Sequence, residues 1–129
     1  SYAHSLLKQF KGEWVYNTDW KMINGHPKKA GWINAIQEAQ KTVQKGIDLD
    51  CPVLVMSSNK SFPETKEWNN EYLSSDIVLD IHDIQKYGQK LGNYVTRDTI
   101  QNGIHDLILS EKDSRDHVYR TVFDWLPGK

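Results

Sequence analysis

The chain has 129 residues, 38% of them apolar, which suits one compact domain with a modest core. Its 16 Lys and Arg against 17 Asp and Glu leave a net charge of -1, with no basic block and no long-range field to draw nucleic acid or an anionic membrane. The single Cys51 excludes an internal disulfide and a cysteine-built zinc site, and no run has transmembrane length or the make-up of a signal peptide, so a reducing, cytoplasmic setting is expected.

Ser1 to Phe10 carries Leu6, Leu7 and Phe10 at helical spacing, a brief helix. From Gly12 to Lys29 the text changes: Trp14, Tyr16, Trp20 and Met22 surround Asn17-Thr18-Asp19, and Asn24-Gly25-His26-Pro27 follows. Such a stretch predicts irregular turns or a small hairpin, and its dense rings fit either a loop packed on its own side chains or a lid over a pocket. Trp32, Ile36, Ala39 and Val43 then recur every three or four residues between Pro27 and Gly46, so Gly31 to Lys45 is an amphipathic helix expected to pack on a sheet.

Pro52 to Met56 is apolar without alternation, the text of a strand covered on both faces. Ser58 to Ser75 is a long connection carrying Phe62, Trp68 and Tyr72, and connections of this length are often functional. Asp80 precedes a helix with an acidic third position, whose Ile84, Tyr87 and Leu91 share a face until Gly92. Tyr94 to Ile100 predicts a second buried strand. Ser110-Glu111-Lys112-Asp113 has the form of a capping box, and Val118, Val122 and Trp125 mark a last helix stopped by Pro127-Gly128.

The order helix, strand, helix, strand, helix predicts an α/β fold: a βαβ unit with flanking helices behind an irregular, aromatic-rich N-terminal segment, all one domain over 1–129 (1–30 and 31–129 being its two parts). Consecutive parallel strands joined by a helix are neighbours, and the segments following them share one rim of the sheet, so Asp76 and His105 should meet there. An isolated strand pair is marginal, so the edge of Pro52 to Met56 is expected to find another strand, from a second copy of the chain or from residues preceding it in a larger protein.

Cys51-Pro-Val-Leu-Val-Met-Ser-Ser58, Ser75-Asp76-Ile-Val-Leu-Asp80, Asn102-Gly-Ile-His105-Asp-Leu-Ile-Leu-Ser110 and Phe123-Asp-Trp-Leu126 resemble the C-terminal part of an α/β-hydrolase of the lysophospholipase or serine-aminopeptidase-like branch. The resemblance covers essentially the whole chain, with Gly12 to Trp32 matching, more loosely, a lid-like insertion and the helix after it. It implies a partial α/β-hydrolase fold in which Asp76 is the triad acid and His105 the general base, with no cofactor and no metal, acting in the intact enzyme on a small acyl substrate. Asp80 rivals Asp76 for the acid but stands where an N-cap belongs. Asp106 is expected to make only local hydrogen bonds.

A family nucleophile would sit in a Gly-x-Ser-x-Gly elbow, and this chain has none; Ser57, Ser58 and Ser61 lie near the rim without the flanking glycines. The expectation is therefore a C-terminal piece with little or no esterase activity alone, partnered by the missing N-terminal half or by itself as a homodimer. Its rival is an autonomous, non-catalytic binding or oligomerisation module. A metal site drawn from His82-Asp83, His105-Asp106 and His117 has no ligand spacing to recommend it.

Overall fold

The computed structural model describes residues 2–126. In it α1 (Tyr2–Leu6), α2 (Ala30–Lys45), β1 (Val53–Ser58), α3 (Ile81–Gly88), β2 (Val95–Ile100) and α4 (Lys112–Trp125) follow one another, with 3₁₀ turns at Asn70–Leu73 and Leu107–Leu109. The two strands pair in parallel from Val53 with Val95 to Ser58 with Ile100, so the chain is of mixed α/β type around a two-stranded sheet. The pairing runs past both ends of the strands. Leu49 bridges Gly92 before them, and after them the Asn59 N–H donates to Ile100 O at 3.0 Å.

The core gathers at the C-terminal end of the strands. Leu6, Tyr72, Ile100 and Val118 are fully buried there, drawn from α1, the long connection, the last residue of β2 and α4, and Ser57 and Ser58 close the same end of β1. Each such apolar side chain is worth about 1.5–3 kcal/mol of transfer out of water. The other end is open: Tyr94 is 62% exposed, and Thr96, Arg97 and Thr99 of β2 face solvent. Expected as a buried strand, β2 is thus buried only where it reaches the rim, as its polar Thr96-Arg97-Asp98-Thr99 text requires.

Three further expectations are corrected. The first helix stops at Leu6 because the chain doubles back: Leu7 bridges Trp14, the Trp14 N–H donates to Leu6 O at 2.9 Å, and Phe10 stacks on His4 instead of extending a helical stripe. Gly12 sits in that return, where a Cβ would lie 2.1 Å from the Leu6 carbonyl. The helix predicted to run to Gly92 ends at Gly88, and Gly92 instead joins the backbone bridge to Leu49. Ser110 does not cap α4; its Oγ accepts the buried Ile104 N–H at 3.0 Å, and Glu111 takes the cap position without accepting a backbone N–H of the helix, its Oε1 meeting the Ser114 hydroxyl instead.

Helix α2 matches its predicted span and ends as expected on Gly46, whose φ of +107° suits only glycine. Its packing differs from expectation. None of its residues is buried, and Ile36, Ala39 and Val43 line one wall of an apolar groove of about 470 Å³ opposite Val55, Ile84 and Tyr87. Among the described residues no third strand lies beside β1 to give this stripe a floor. The Pro127-Gly128 stop of the last helix lies outside the described residues.

Two glycine substitutions test the packing. Gly12→Ala drives a methyl into main-chain atoms that cannot rotate away, and should lower stability by about 1–3 kcal/mol in urea unfolding. Gly31→Ala, in the first turn of α2 with nothing within 4 Å of its added Cβ, should instead be neutral or raise stability by a few tenths of a kcal/mol (about 0.5 at most).

Candidate functional site

The rim site is assembled by the residues that continue β1. Asn59 holds the segment after β2: its main-chain N–H extends the ladder, and its Oδ1 accepts the Asn102 N–H at 3.0 Å. Asn102 adopts φ +55°, a left-handed turn that Asn tolerates better than most residues. The next residues hold the acid. Asp76 N–H donates to Lys60 O at 3.0 Å and Phe62 N–H donates to Asp76 O at 2.9 Å, a bridge that lays Asp76 alongside the extension of β1.

Between Phe62 and Asp76 the long connection folds on itself around Tyr72. That ring is 1% exposed, meets Phe62 and Trp68 edge-on, and its hydroxyl accepts the Thr65 N–H at 2.6 Å. Ser61 secures the far side: its Oγ donates to Leu79 O and accepts the Ile81 N–H at the start of α3. Asp80 caps α3, accepting the His82 N–H at 2.9 Å.

Asp76 and His105 are brought together. His105 Nδ1 lies 3.0 Å from Asp76 Oδ2, while Asp76 Oδ1 accepts the Val78 and Leu79 N–H groups, each at 2.8 Å. An ionised carboxylate only accepts, so Nδ1 carries the proton and Nε2 of the neutral ring is left as a base. No described residue hydrogen-bonds that Nε2. The Asp76 side chain is 4% exposed and that of His105 29%, so the acid is enclosed and the base reaches solvent.

The electrostatics follow from this enclosure. Burial alone would push the Asp76 carboxyl up, but the hydrogen bonds from His105, Leu79 and Val78 outweigh it and hold the group below the usual carboxylate range. The Asp76 hydrogen bond lifts the His105 imidazolium above the usual imidazole value, against an opposing contribution from burial.

The segment after β2 is packed by its own residues and by the N-terminus. Gly103 N–H donates to Ile100 O, Ile104 is buried and its N–H donates to Ser110 Oγ, and Leu109 N–H closes onto Asp106 O at 2.7 Å. Trp14 Nε1 donates to Leu109 O at 2.7 Å and its ring lies under the Arg115 guanidinium. Asp106, expected to bond locally, reaches across the chain: it accepts from the Tyr2 hydroxyl and from Lys21 Nζ, each at 2.5 Å.

Tyr2 in turn presents its ring edge-on to His105, with centroids 5.9 Å apart. Beside it a cavity of about 610 Å³ is lined by Tyr2, Tyr16, Trp20, Lys21 and Met22 among others, and the buried Tyr16 hydroxyl has no hydrogen-bond partner among the described residues. The aromatic insertion is therefore an irregular segment of turns next to the rim and not a hairpin.

The remaining histidines and serines have other occupations. His82 contacts Asp80, and His117 Nε2 lies 3.1 Å from Asp98 Oδ2, which also accepts from Thr121 Oγ1 and ties α4 to β2. Each of these histidines meets a different carboxylate, and among the described residues no three His, Cys, Asp or Glu side chains converge as metal ligands would. Ser58 Oγ donates to Lys60 O, and Ser57 is buried at the end of β1. Among the described residues no helix is long and apolar enough to cross a membrane. No family model, curated protein or solved structure matches the chain.

The pair should leave a signature in stability against pH. His105, raised on folding, stabilises fully below about pH 6.5 and loses that share as pH rises through its folded value. Asp76, lowered on folding, stabilises above about pH 4 and loses that share as pH falls through its own. The difference in melting temperature between the native chain and His105→Gln should thus be largest between about pH 4 and 6.5 and shrink by pH 8. A difference independent of pH would show that the two groups do not interact as ions.

Proposed function

We propose that this chain supplies the acid and the base of a serine hydrolase acting on ester or related acyl substrates, as the C-terminal part of an α/β-hydrolase whose nucleophile lies in another segment or chain. The observation that carries this reading is the orientation of His105: Nδ1 is occupied by an enclosed, ionised Asp76, and Nε2 hydrogen-bonds none of the described residues. That is the arrangement a general base needs, because the carboxylate fixes the tautomer and stabilises the imidazolium that forms.

In the assembled enzyme the serine hydroxyl would pass its proton to Nε2 as its oxygen bonds to the acyl carbon. The imidazolium then returns the proton to the leaving oxygen as the bond to it breaks, giving the acyl-enzyme. Water repeats the sequence and frees the acid. Asp76 stays ionised throughout.

The unassigned nucleophile agrees with the serines present. Ser58 and Ser61 spend their hydroxyls on backbone groups, and none of the described serines hydrogen-bonds His105. A fluorophosphonate probe should accordingly leave the intact mass of this chain unchanged. A stoichiometric adduct, lost on His105→Ala, would place an activated serine within these 129 residues and overturn the division of the triad.

The surface supports a partner. The chain exposes 9053 Å², whereas a compact 15.0 kDa protein exposes about 7,000 Å². The excess of about 2,000 Å² on this one chain is more than the roughly 800 Å² that each partner buries in a standard protein–protein interface. Exposed apolar or unpaired surface includes the open groove under α2, the edge of β1 that no described strand covers, and Tyr119 and Phe123 of α4. The same features favour, as a second reading, a self-associating module without chemistry. Sedimentation velocity should find the isolated chain as a dimer or larger at about 100 μM, above the Kd expected even of a modest interface; a clean monomer at that concentration would count against self-association and against the second reading.

A further inference from the structure

Asp106 follows the proposed base directly, and its contacts are long-range. Its carboxylate accepts from Tyr2 Oη at the start of α1 and from Lys21 Nζ in the aromatic insertion, residues 104 and 85 positions away in sequence. The three groups are also stacked in space, since Lys21 Nζ lies 5.3 Å from the centre of the Tyr2 ring, and that ring stands edge-on to His105. Burial and the Asp106 hydrogen bond raise the Tyr2 phenol, while the Asp106 carboxyl is held down by Lys21 and Tyr2 against the upward push of its own burial.

From this geometry we infer that Asp106 is a positioning residue: through Tyr2 it holds the His105 ring against Asp76, and through Lys21 it latches the aromatic insertion beside that ring. The inference rests on His105 being the base of the proposed function. Two strands of argument make the cluster more than a surface ion pair.

The first is placement. Among the described residues, the hydrogen bonds that join residues 2–6 and 17–25 to the segment after β2 are those to Asp106, with the Tyr2 ring against His105 beside them, while Trp14, between the two stretches, donates separately through Nε1 to Leu109 O. The cavity of about 610 Å³ has Tyr2 and Lys21 in its wall, so releasing Asp106 frees one side of that cavity and the neighbour of His105 together. The second is charge. The groups that act on His105 are Asp76 and Asp106, which favour its protonated form, and Lys21, which opposes it. A latch that opens therefore alters the basicity of Nε2 as well as the access to it.

The test reads His105 by NMR titration of its ring protons, together with amide exchange. Asp106→Asn, close to isosteric, should lower the His105 pKa. Lys21→Met should raise it, because it removes the opposing cation and leaves Asp106 uncompensated. In both variants the amides of Trp20, Lys21 and Gly25 should exchange about tenfold faster, the loss expected for one charge-assisted hydrogen bond. Asp106→Glu should restore part of both effects.

Shifts of the same sign in Asp106→Asn and Lys21→Met would indicate general loosening and overturn the inference, as would unchanged titration and exchange. Circular dichroism shows whether each variant is folded, and if Asp106→Asn proves too unstable to titrate, Tyr2→Phe, which keeps the ring and removes the hydroxyl, should speed exchange of the Leu7 amide, which donates to Ala3 O in the turn after Tyr2. Opposite shifts without any hydrolase activity in a longer form of the protein would leave the positioning intact and remove the proposed function; activity with unmoved titrations would do the reverse.

Discussion

A carboxylate held away from water must be met by donors, and the donors that meet Asp76 come from separate parts of the chain. Two are the backbone N–H groups of Val78 and Leu79, leading into α3, and one is the imidazole of His105, after β2. The same residue is fixed along its main chain by Lys60 and Phe62, beyond β1. The carboxylate, the imidazole and the start of the helix between the strands are thus positioned by one buried charge. An unpaired ion in that position would cost several kcal/mol, which leaves the surrounding backbone little freedom to rearrange.

Around this well-specified rim the rest of the molecule is loosely covered. The buried side chains cluster at one end of a two-stranded sheet, while Trp20, Trp32 and the apolar stripe of α2 remain in contact with solvent. A sheet of two strands has little area on which to seat helices, and isolated strand pairs are marginal in water. The contrast between an enclosed pair of charges and an uncovered helix face is what a fragment of a larger fold would show. It is also what a module that assembles with itself would show, and the two differ in what lies across the edge of β1.

Much of this was legible in the sequence because it depended on local pattern. The period of Trp32, Ile36, Ala39 and Val43 predicts α2, the apolar run after Cys51 predicts β1, and the rule that consecutive parallel strands lie side by side brings the segments containing Asp76 and His105 to one rim. Asp80 as an N-cap followed from its place before a helical stripe. What escaped notice was carried by polar side chains acting at long range. Asn59, Ser61 and Ser110 have no periodicity to betray them, and each satisfies a backbone group whose position only the folded chain defines. The Ser110-to-Asp113 capping signal was genuine chemistry redirected, since a buried Ile104 N–H claims the hydroxyl before the helix can. Asp106 with Lys21 and Tyr2 was hidden for the same reason, although three opposite or polar partners so far apart in sequence leave no local trace.

The bridge between Ser61 and Asp76 closes the connection 62–75 into a loop whose two ends are stapled by backbone hydrogen bonds. Closing a longer loop adds entropy only logarithmically, about 0.6 kcal/mol for each doubling of length. Its exposed stretch around Lys66 and Glu67 lies on the far side of Tyr72 in sequence from Asp76, with the buried Tyr72 ring and the bridge between that stretch and the acid. Lengthening, shortening or decorating that stretch should accordingly add new surface there while leaving the distance between carboxylate and imidazole unchanged.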